Sequence, residues 1–275
     1  MASESPVYLT LNEAADRLGV HYMTVYRYVR LGMLPATKVG GSWRIDPDDL
    51  AMPRAPSEVT GRQPAPWSAR LRQRMLAGDV EGSWQVVESA MASGVSPAGV
   101  YVDILGPALH EIGATWRLGG LGIEQEHLAS GVATSIVGRL GPRFRRRGRH
   151  RAGVLVAMPV GERHGLGAAM LSDVLRGEGY AVLNLGPDTP SMSLVAAMRE
   201  TDELVAVVVS IVDEARLPAG GRLIAAARRH DPSVVIVAGG FAVPDEAAAR
   251  SLGADGWTAD PRRLGGLIED LAASR

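Results

Sequence analysis

Along residues 152–275 the chain alternates short apolar runs with longer segments whose apolar positions recur every three or four residues. The runs at 154–159, 181–185, 205–211 and 234–238 are almost unbroken, as expected of strands buried on both faces. Helical patterning at about 165–178, 191–199, 219–230 and 244–252 lies between them. This alternation predicts a parallel sheet with Rossmann-like winding. Upstream, 67–141 shows helical periodicity and almost no strand signal. Segments at about 67–77, 80–93, 97–116 and 123–140 are separated by Gly78-Asp79, Gly94-Val95-Ser96-Pro97 and Gly119-Gly120, which predicts a four-helix bundle. In its third segment Val102, Leu105, Leu109, Ile112 and Trp116 form a core-facing stripe.

The N-terminal 1–51 carries a different pattern. Thr10-Leu11-Asn12-Glu13 is a capping box, in which the Thr10 hydroxyl caps the helix start and Glu13 reaches back. Ala14, Ala15 and Leu18 give that helix an apolar face. Gly19-Val20 reads as a tight turn, and a second helix follows from about Tyr22 to Leu31, closed by Gly32. Residues 38–45 then read as a hairpin with a Gly40-Gly41 turn, a wing. The expected class is therefore multidomain, α plus α/β: a winged helix-turn-helix (1–51), a linker (52–66), a four-helix bundle cap (67–141), a basic linker (142–151) and a Rossmann-like domain (152–275).

Composition narrows the possibilities. The 275 residues are 46% hydrophobic and 21% charged, with net charge −1, as in soluble globular proteins. No apolar run is long enough to span a bilayer, and the first residues lack the pattern of a secretory leader, so a cytoplasmic protein is expected. The lack of cysteine excludes disulfides, thiolate metal sites and thioether-linked chromophores. Contact with nucleic acid has to come from a local patch. Residues 21–45 supply one: Arg27, Arg30, Lys38 and Arg44 with no acid. Tyr22, Thr24, Arg27 and Tyr28 are expected on the exposed face of the second helix, the part that enters a major groove. A solvated packing module is the plainer alternative. The linker 52–66 holds four prolines, and Arg143, Arg145, Arg146, Arg147, Arg149 and Arg151 make a second basic run. That run reads as a solvated linker, with phosphate contact the weaker alternative.

The densest candidate chemistry is Gly161-Glu162-Arg163-His164-Gly165-Leu166-Gly167, directly after the first apolar run. Ligands of open α/β sheets sit at the carboxyl ends of strands. A histidine there can ligate a metal, and glycines let a large flat ligand approach the backbone. The dinucleotide pattern Gly-x-Gly-x-x-Gly is absent from this turn. Taken alone, His164 reads rather as a loop histidine bonded to a carbonyl, Trp116 as a core residue, and Glu126-His127 as a polar helix pair. His110, His150 and His230 are expected to be surface or packing residues.

Three ordered motifs in 152–275, namely Glu162-x-His164-x-x-Gly167, Ser210-x-Val212 and Gly239-Gly240, resemble those of the cobalamin-binding domain shared by methionine synthase, corrinoid mutases and light-responsive regulators. Trp116, nine residues, then Glu126-His127 in a preceding bundle is similar to the cap of the CarH-type family of adenosylcobalamin-dependent photoreceptor regulators. The N-terminal unit resembles the winged helices of the MerR and excisionase superfamily, without the longer helical extension of full MerR proteins. The resemblance implies His164 as lower cobalt ligand, with Glu162 on its far ring nitrogen in place of the commoner Asp. It implies Gly165, Gly167, Ser210, Gly239 and Gly240 around the cofactor and its displaced nucleotide tail. It also implies Trp116 beside the adenosyl group, with Glu126 and His127 as polar contacts on the upper side.

The implied protein is no enzyme. It is a light-responsive regulator that binds operator DNA, a homo-oligomer that is tetrameric in the dark. The alternatives are a sensor of cobalamin level, a regulator using a bilin instead of or beside cobalamin, and a corrinoid-carrying enzyme subunit, against which the DNA-binding unit argues. One position departs from the family pattern: Arg117 stands where the family has a histidine that captures cobalt from above.

Overall fold

The structure, a computed structural model, describes residues 8–18, 25, 29, 34–39, 42–51 and 66–275. The chain divides into two compact units, one of 1–66 with 89–95, the other of 67–88 with 96–275.

In the first unit the helix Leu11–Leu18 starts at the expected capping box. The Thr10 amide donates to Glu13 Oε2 at 2.7 Å, and the Glu13 amide donates to Thr10 Oγ1 at 3.3 Å. Strands β1 (Thr37–Val39) and β2 (Ser42–Arg44) pair antiparallel, with Val39 opposite Ser42. Leu9 and Ile45 exchange backbone hydrogen bonds of 2.8 and 2.9 Å, which fastens the segment before the helix to the end of the hairpin. Val25 and Val29 are helical and join Leu11, Ala14, Ala15, Leu34 and Ile45 in one core. Their four-residue spacing turns one helical face inward. The turn at Gly19-Val20, the residues Tyr22, Thr24, Arg27, Tyr28 and Arg30, and Gly40-Gly41 lie outside the described residues.

The second unit begins with helix Trp67–Leu76 and the greater part, to residue 88, of helix Val80–Ala92. The expected third helix is three pieces: Pro97–Gly99 behind the Ser96 cap, a π-helical segment Val100–Leu105, and Gly106–Arg117. The fourth is Ile123–Leu140. The Gly106 amide reaches back to the Tyr101 carbonyl, five residues away, and so takes up one extra residue in the turn. The predicted stripe is corrected accordingly. The residues that turn inward are Tyr101, Ile104, Leu105, Ala108 and Ile112. Val102 and Leu109 are only half-buried, and Trp116 is 44% exposed. A simple 3.6-residue period cannot locate such a shift.

Strands β3 (Gly153–Ala157), β4 (Ala181–Asn184), β5 (Leu204–Ser210) and β6 (Val235–Gly239) form a parallel sheet in the order β4-β3-β5-β6. Alternate residues serve two cores. Leu155, Ala157, Val207, Val209, Ile236 and Ala238 share one with Leu194 and Leu223 of helices Ser191–Glu200 and Leu217–His230. Val154, Val156, Ala206, Val208, Val235 and Val237 share the other with Leu175 and Ile268 of helices Leu166–Glu178 and Leu264–Ala273. Burial on both faces explains why these strands read as continuous apolar runs. The last helix, Leu264–Ala273, was not anticipated from the sequence. Among the described residues no helix is long and apolar enough to cross a membrane.

Bundle and sheet are joined by a buried polar contact. The Tyr101 hydroxyl donates to Asp173 Oδ2 at 3.0 Å and lies 3.2 Å from the Val137 carbonyl, while Asp173 Oδ1 pairs with Arg176 at 3.0 Å. Burial and the facing Asp173 carboxylate both push the Tyr101 hydroxyl pKa well up, so it stays protonated as the donor.

Candidate functional site

Sheet order locates the site before any ligand is considered. The chain moves outward from β3 to β4, then crosses back to β5 on the other side of β3, so the winding reverses between β3 and β5. In open α/β sheets the crevice at that switch point is the ligand position. The loops leaving β3 and β5 carry residues 158–165 and 211–213, and Glu162 ties them together.

The Glu162 side chain is fully buried. Its Oε1 accepts from the amides of Arg163 (2.9 Å) and His164 (3.0 Å), and its Oε2 from those of Val212 (2.8 Å) and Asp213 (2.9 Å). Burial alone would raise the carboxyl pKa. The hydrogen bonds from Asp213, His164 and Val212 and from the His164 ring outweigh it and hold the group at about 2. A buried carboxylate this well satisfied is a fixed negative charge.

That charge sets the histidine. His164 Nδ1 lies 2.6 Å from Glu162 Oε1, while 62% of the imidazole side chain is exposed. With Nδ1 engaged by a carboxylate, the neutral ring is the tautomer with its proton on Nδ1, which leaves the Nε2 lone pair for a metal. Among the described residues no three histidines, aspartates or glutamates converge to hold a metal. A metal bound by His164 must therefore bring its other ligands with it.

The surrounding loops are positioned by backbone. Asp188, at φ 56°, accepts the Gly161 amide on Oδ1 at 2.7 Å and donates its own amide to the Glu162 carbonyl at 3.1 Å. The sequence alone gives Asp188 no role, because its partners lie 26 and 27 residues upstream. Gly165 lies against Pro187: a Cβ there would come within 3.1 Å of the proline ring. Gly167 faces open space on the first turn of helix Leu166–Glu178.

Ser210 ends β5, 7% exposed, and its hydroxyl has no partner among the described residues. The two glycines after β6 play different parts. A Cβ on Gly239 would meet nothing within 4 Å, whereas one on Gly240, at φ 97°, would lie 2.3 Å from the Ile211 carbonyl oxygen. Gly240 permits close packing of the β5 and β6 loops, and Gly239 leaves a slot open beside Ser210.

The bundle meets this edge of the sheet at Phe241. The Arg117 guanidinium lies 4.6 Å from the Phe241 ring centre, and the His110 ring 5.1 Å from it at 51°. Thus His110 does pack, as expected of it, and Arg117 is engaged by an aromatic face. Trp116 is exposed beside Arg117. Glu126 Oε1 accepts from Ser130 Oγ at 2.6 Å, and Glu126 Oε2 lies 3.7 Å from His127 Nε2. His127 lines an open cleft of about 570 Å³ with Gly78, Val80, Glu124, Leu128, Gly131 and Val132. The structure thus brings Glu162, His164 and the amide of Val212 together, and pairs Glu126 with His127. Among the described residues no hydrogen bond or ring contact joins Trp116 to either pair. Of the residues expected to touch DNA, Arg44 is exposed on β2 and Lys38 lies on β1.

Three family models match successive parts of the chain. Residues 8–52 match a helix-turn-helix domain, and residues 67–140 and 152–263 match two B12 binding domains. The chain is 32% identical over 151 residues to the HTH-type transcriptional repressor CarH of Myxococcus xanthus, which covers 52% of this chain and 49% of that protein. It therefore spans about half the length of this curated relative. Among solved structures, the monomethylamine corrinoid protein of Methanosarcina barkeri superposes with a TM-score of 0.63 at 18% identity, covering 74% of this chain and 96% of that one, and so shares the fold. By these matches the chain carries a helix-turn-helix domain followed by two B12 binding domains, and part of it is similar to the HTH-type transcriptional repressor CarH of Myxococcus xanthus.

Proposed function

We propose that the chain is a cobalamin-binding transcriptional regulator, that its cofactor is adenosylcobalamin, and that light is its signal. The observation that carries the reading is the Glu162–His164 pair at the switch point, 2.6 Å apart, in a chain that also has a helix-turn-helix domain. A single imidazole with a fixed tautomer suits a metal whose remaining in-plane donors come from a macrocycle. The unpartnered Ser210 hydroxyl and the open space at Gly239 suit a displaced nucleotide tail.

When bound, adenosylcobalamin supplies a cobalt–carbon bond that visible light cleaves. The protein's part is binding and positioning. His164 would offer Nε2 to the cobalt. Glu162 holds the ring and strengthens it as a donor. Gly165 and Gly167 keep the loop low under a flat ligand. Trp116, Glu126 and His127 would contact the cofactor from the bundle. A light-driven change in the bound cofactor would reach the bundle through these side chains, and from there assembly and the hold on operator DNA of the residues around Arg44 would change. The reading excludes catalysis: the chain responds to its ligand and converts no substrate. A sensor of cobalamin level is the second reading. It is favoured by Arg117, whose charged guanidinium has no lone pair for cobalt.

The test is reconstitution of the full chain with adenosylcobalamin, followed by absorption spectra and size-exclusion profiles before and after green light. The expected result is binding with the dimethylbenzimidazole displaced, a spectral change on illumination and a shift in assembly size. Binding without any light-dependent size change would favour the level sensor. No binding would refute both readings.

A further inference from the structure

The basic run between bundle and sheet is more defined than a solvated linker. From His127 to Gly161 the chain contains no acidic residue. Gly141–Phe144 forms a 3-10 turn whose Phe144 ring is buried, stacked on Tyr101 at 5.1 Å and 13° and packed against Gly177. That plants one end of the run. The other end is planted by the Arg151 amide, which donates to the Gly179 carbonyl at 2.9 Å, and by ion pairs of Arg151 with Glu269 and of Arg149 with Glu203. In and after the first anchor Arg143, Arg145, Arg146 and Arg147 are exposed and make no ion pair within 4.0 Å among the described residues, with Glu178 the compensating charge that feels Arg146 at longer range. Four like charges held at both ends cannot relieve their repulsion by swinging apart, so the segment stores an affinity for an anion.

We propose that Arg143, Arg145, Arg146 and Arg147 form a second phosphate-binding surface for duplex DNA, separate from the helix-turn-helix domain. The inference rests on the DNA-binding part of the function proposed above. Guanidinium forks match phosphate oxygens in pairs. The four exposed arginines have no aromatic between them on which unpaired bases could stack, since Phe144 is turned inward; the one exposed ring of the run, His150, lies beyond them beside the Arg151 anchor. Nor do the four have an exposed apolar side chain between them to enter a lipid surface. With no asparagine or glutamine in the run, the contact is to the backbone, positions the protein and adds affinity independent of sequence.

The test is the salt dependence of full-chain binding to a mixed-sequence DNA duplex, comparing parent, R145A/R146A/R147A, the same three positions changed to Lys, and Arg44→Ala. Removing three phosphate contacts should flatten the slope of log affinity against log salt by roughly 2–3, and the Lys triple should restore most of it. Arg44→Ala should flatten it by about one. An Ala triple with the parent's slope beside a flattened Arg44→Ala would overturn the patch and leave the helix-turn-helix reading standing. A flattened Ala triple with an unchanged Arg44→Ala would do the reverse. A Lys triple that behaves like the Ala triple would show that charge is not the cause and overturn the proposal. So would a loss confined to single-stranded RNA. No binding of duplex by the parent would end both.

Discussion

The carboxylate of Glu162 accepts a 2.8 Å hydrogen bond from the amide of Val212, fifty residues along the chain. One buried side chain therefore joins the β3 and β5 loops on either side of the switch point, and through its other oxygen orients His164. The same group organises the fold and the candidate ligand, which makes the two roles separable by experiment.

His164→Ala should fold as the parent does, because the ring is mostly exposed. It should lose cobalamin, or bind it with the dimethylbenzimidazole still attached. Absorption spectroscopy and calorimetry check this. An unchanged spectrum and affinity would remove His164 from the site.

Glu162→Gln should weaken cobalamin binding by roughly 10–100-fold, the usual effect of removing a partner behind a metal-ligating histidine. The new amide group also faces backbone donors with a donor of its own, at a cost of about 1–3 kcal/mol in stability. Chemical denaturation alongside calorimetry separates the two effects.

Stability should fall in acid through the same residue. The folded-state pKa of Glu162 is about 2, below its ordinary value of 4.5, so the ionised form contributes stability that is complete above about pH 4.5. That contribution is lost as pH falls from about 4.5 towards 2, up to roughly 3 kcal/mol in all. Urea unfolding between pH 7 and 3 should show this loss, and Glu162→Gln should flatten it. A parent curve with the same slope as the variant would refute the assignment.

The paired glycines should behave in opposite ways. Gly239→Leu enters open space and should leave the melting temperature near that of the parent while blocking cobalamin. Gly240→Ala meets the Ile211 carbonyl at a positive φ and should destabilise by at least about 1–2 kcal/mol. Thermal melts of both variants with a cobalamin titration check the contrast.

Tyr101→Phe should cost about 1–2 kcal/mol, since Asp173 then keeps Arg176 but loses the hydroxyl donor across the joint between bundle and sheet. Equilibrium unfolding measures it.

Much of this was legible in the linear chain. Apolar runs between helical patterns marked the parallel sheet, because strands buried on both faces contain little else. The Thr10–Glu13 cap was legible because both partners lie within one helical turn. Glu162 and His164 stood out because chemistry-bearing residues clustered among glycines after a strand. What needed the fold were relations over long separations. Nothing near Glu162 in sequence announces the amides of Val212 and Asp213, nothing in 186–190 announces that Asp188 braces the Gly161 loop, and Phe241 meets Arg117 and His110 only because bundle and sheet pack together. The π-turn at 100–105 likewise escaped a periodic reading, since one five-residue hydrogen bond shifts the face of the helix without altering its composition. Local periodicity and short-range capping belong to the sequence by itself. The tie across the switch point, the shifted face of the bundle and the planted arginine run were decided only by tertiary packing, which brings together groups that the chain keeps far apart.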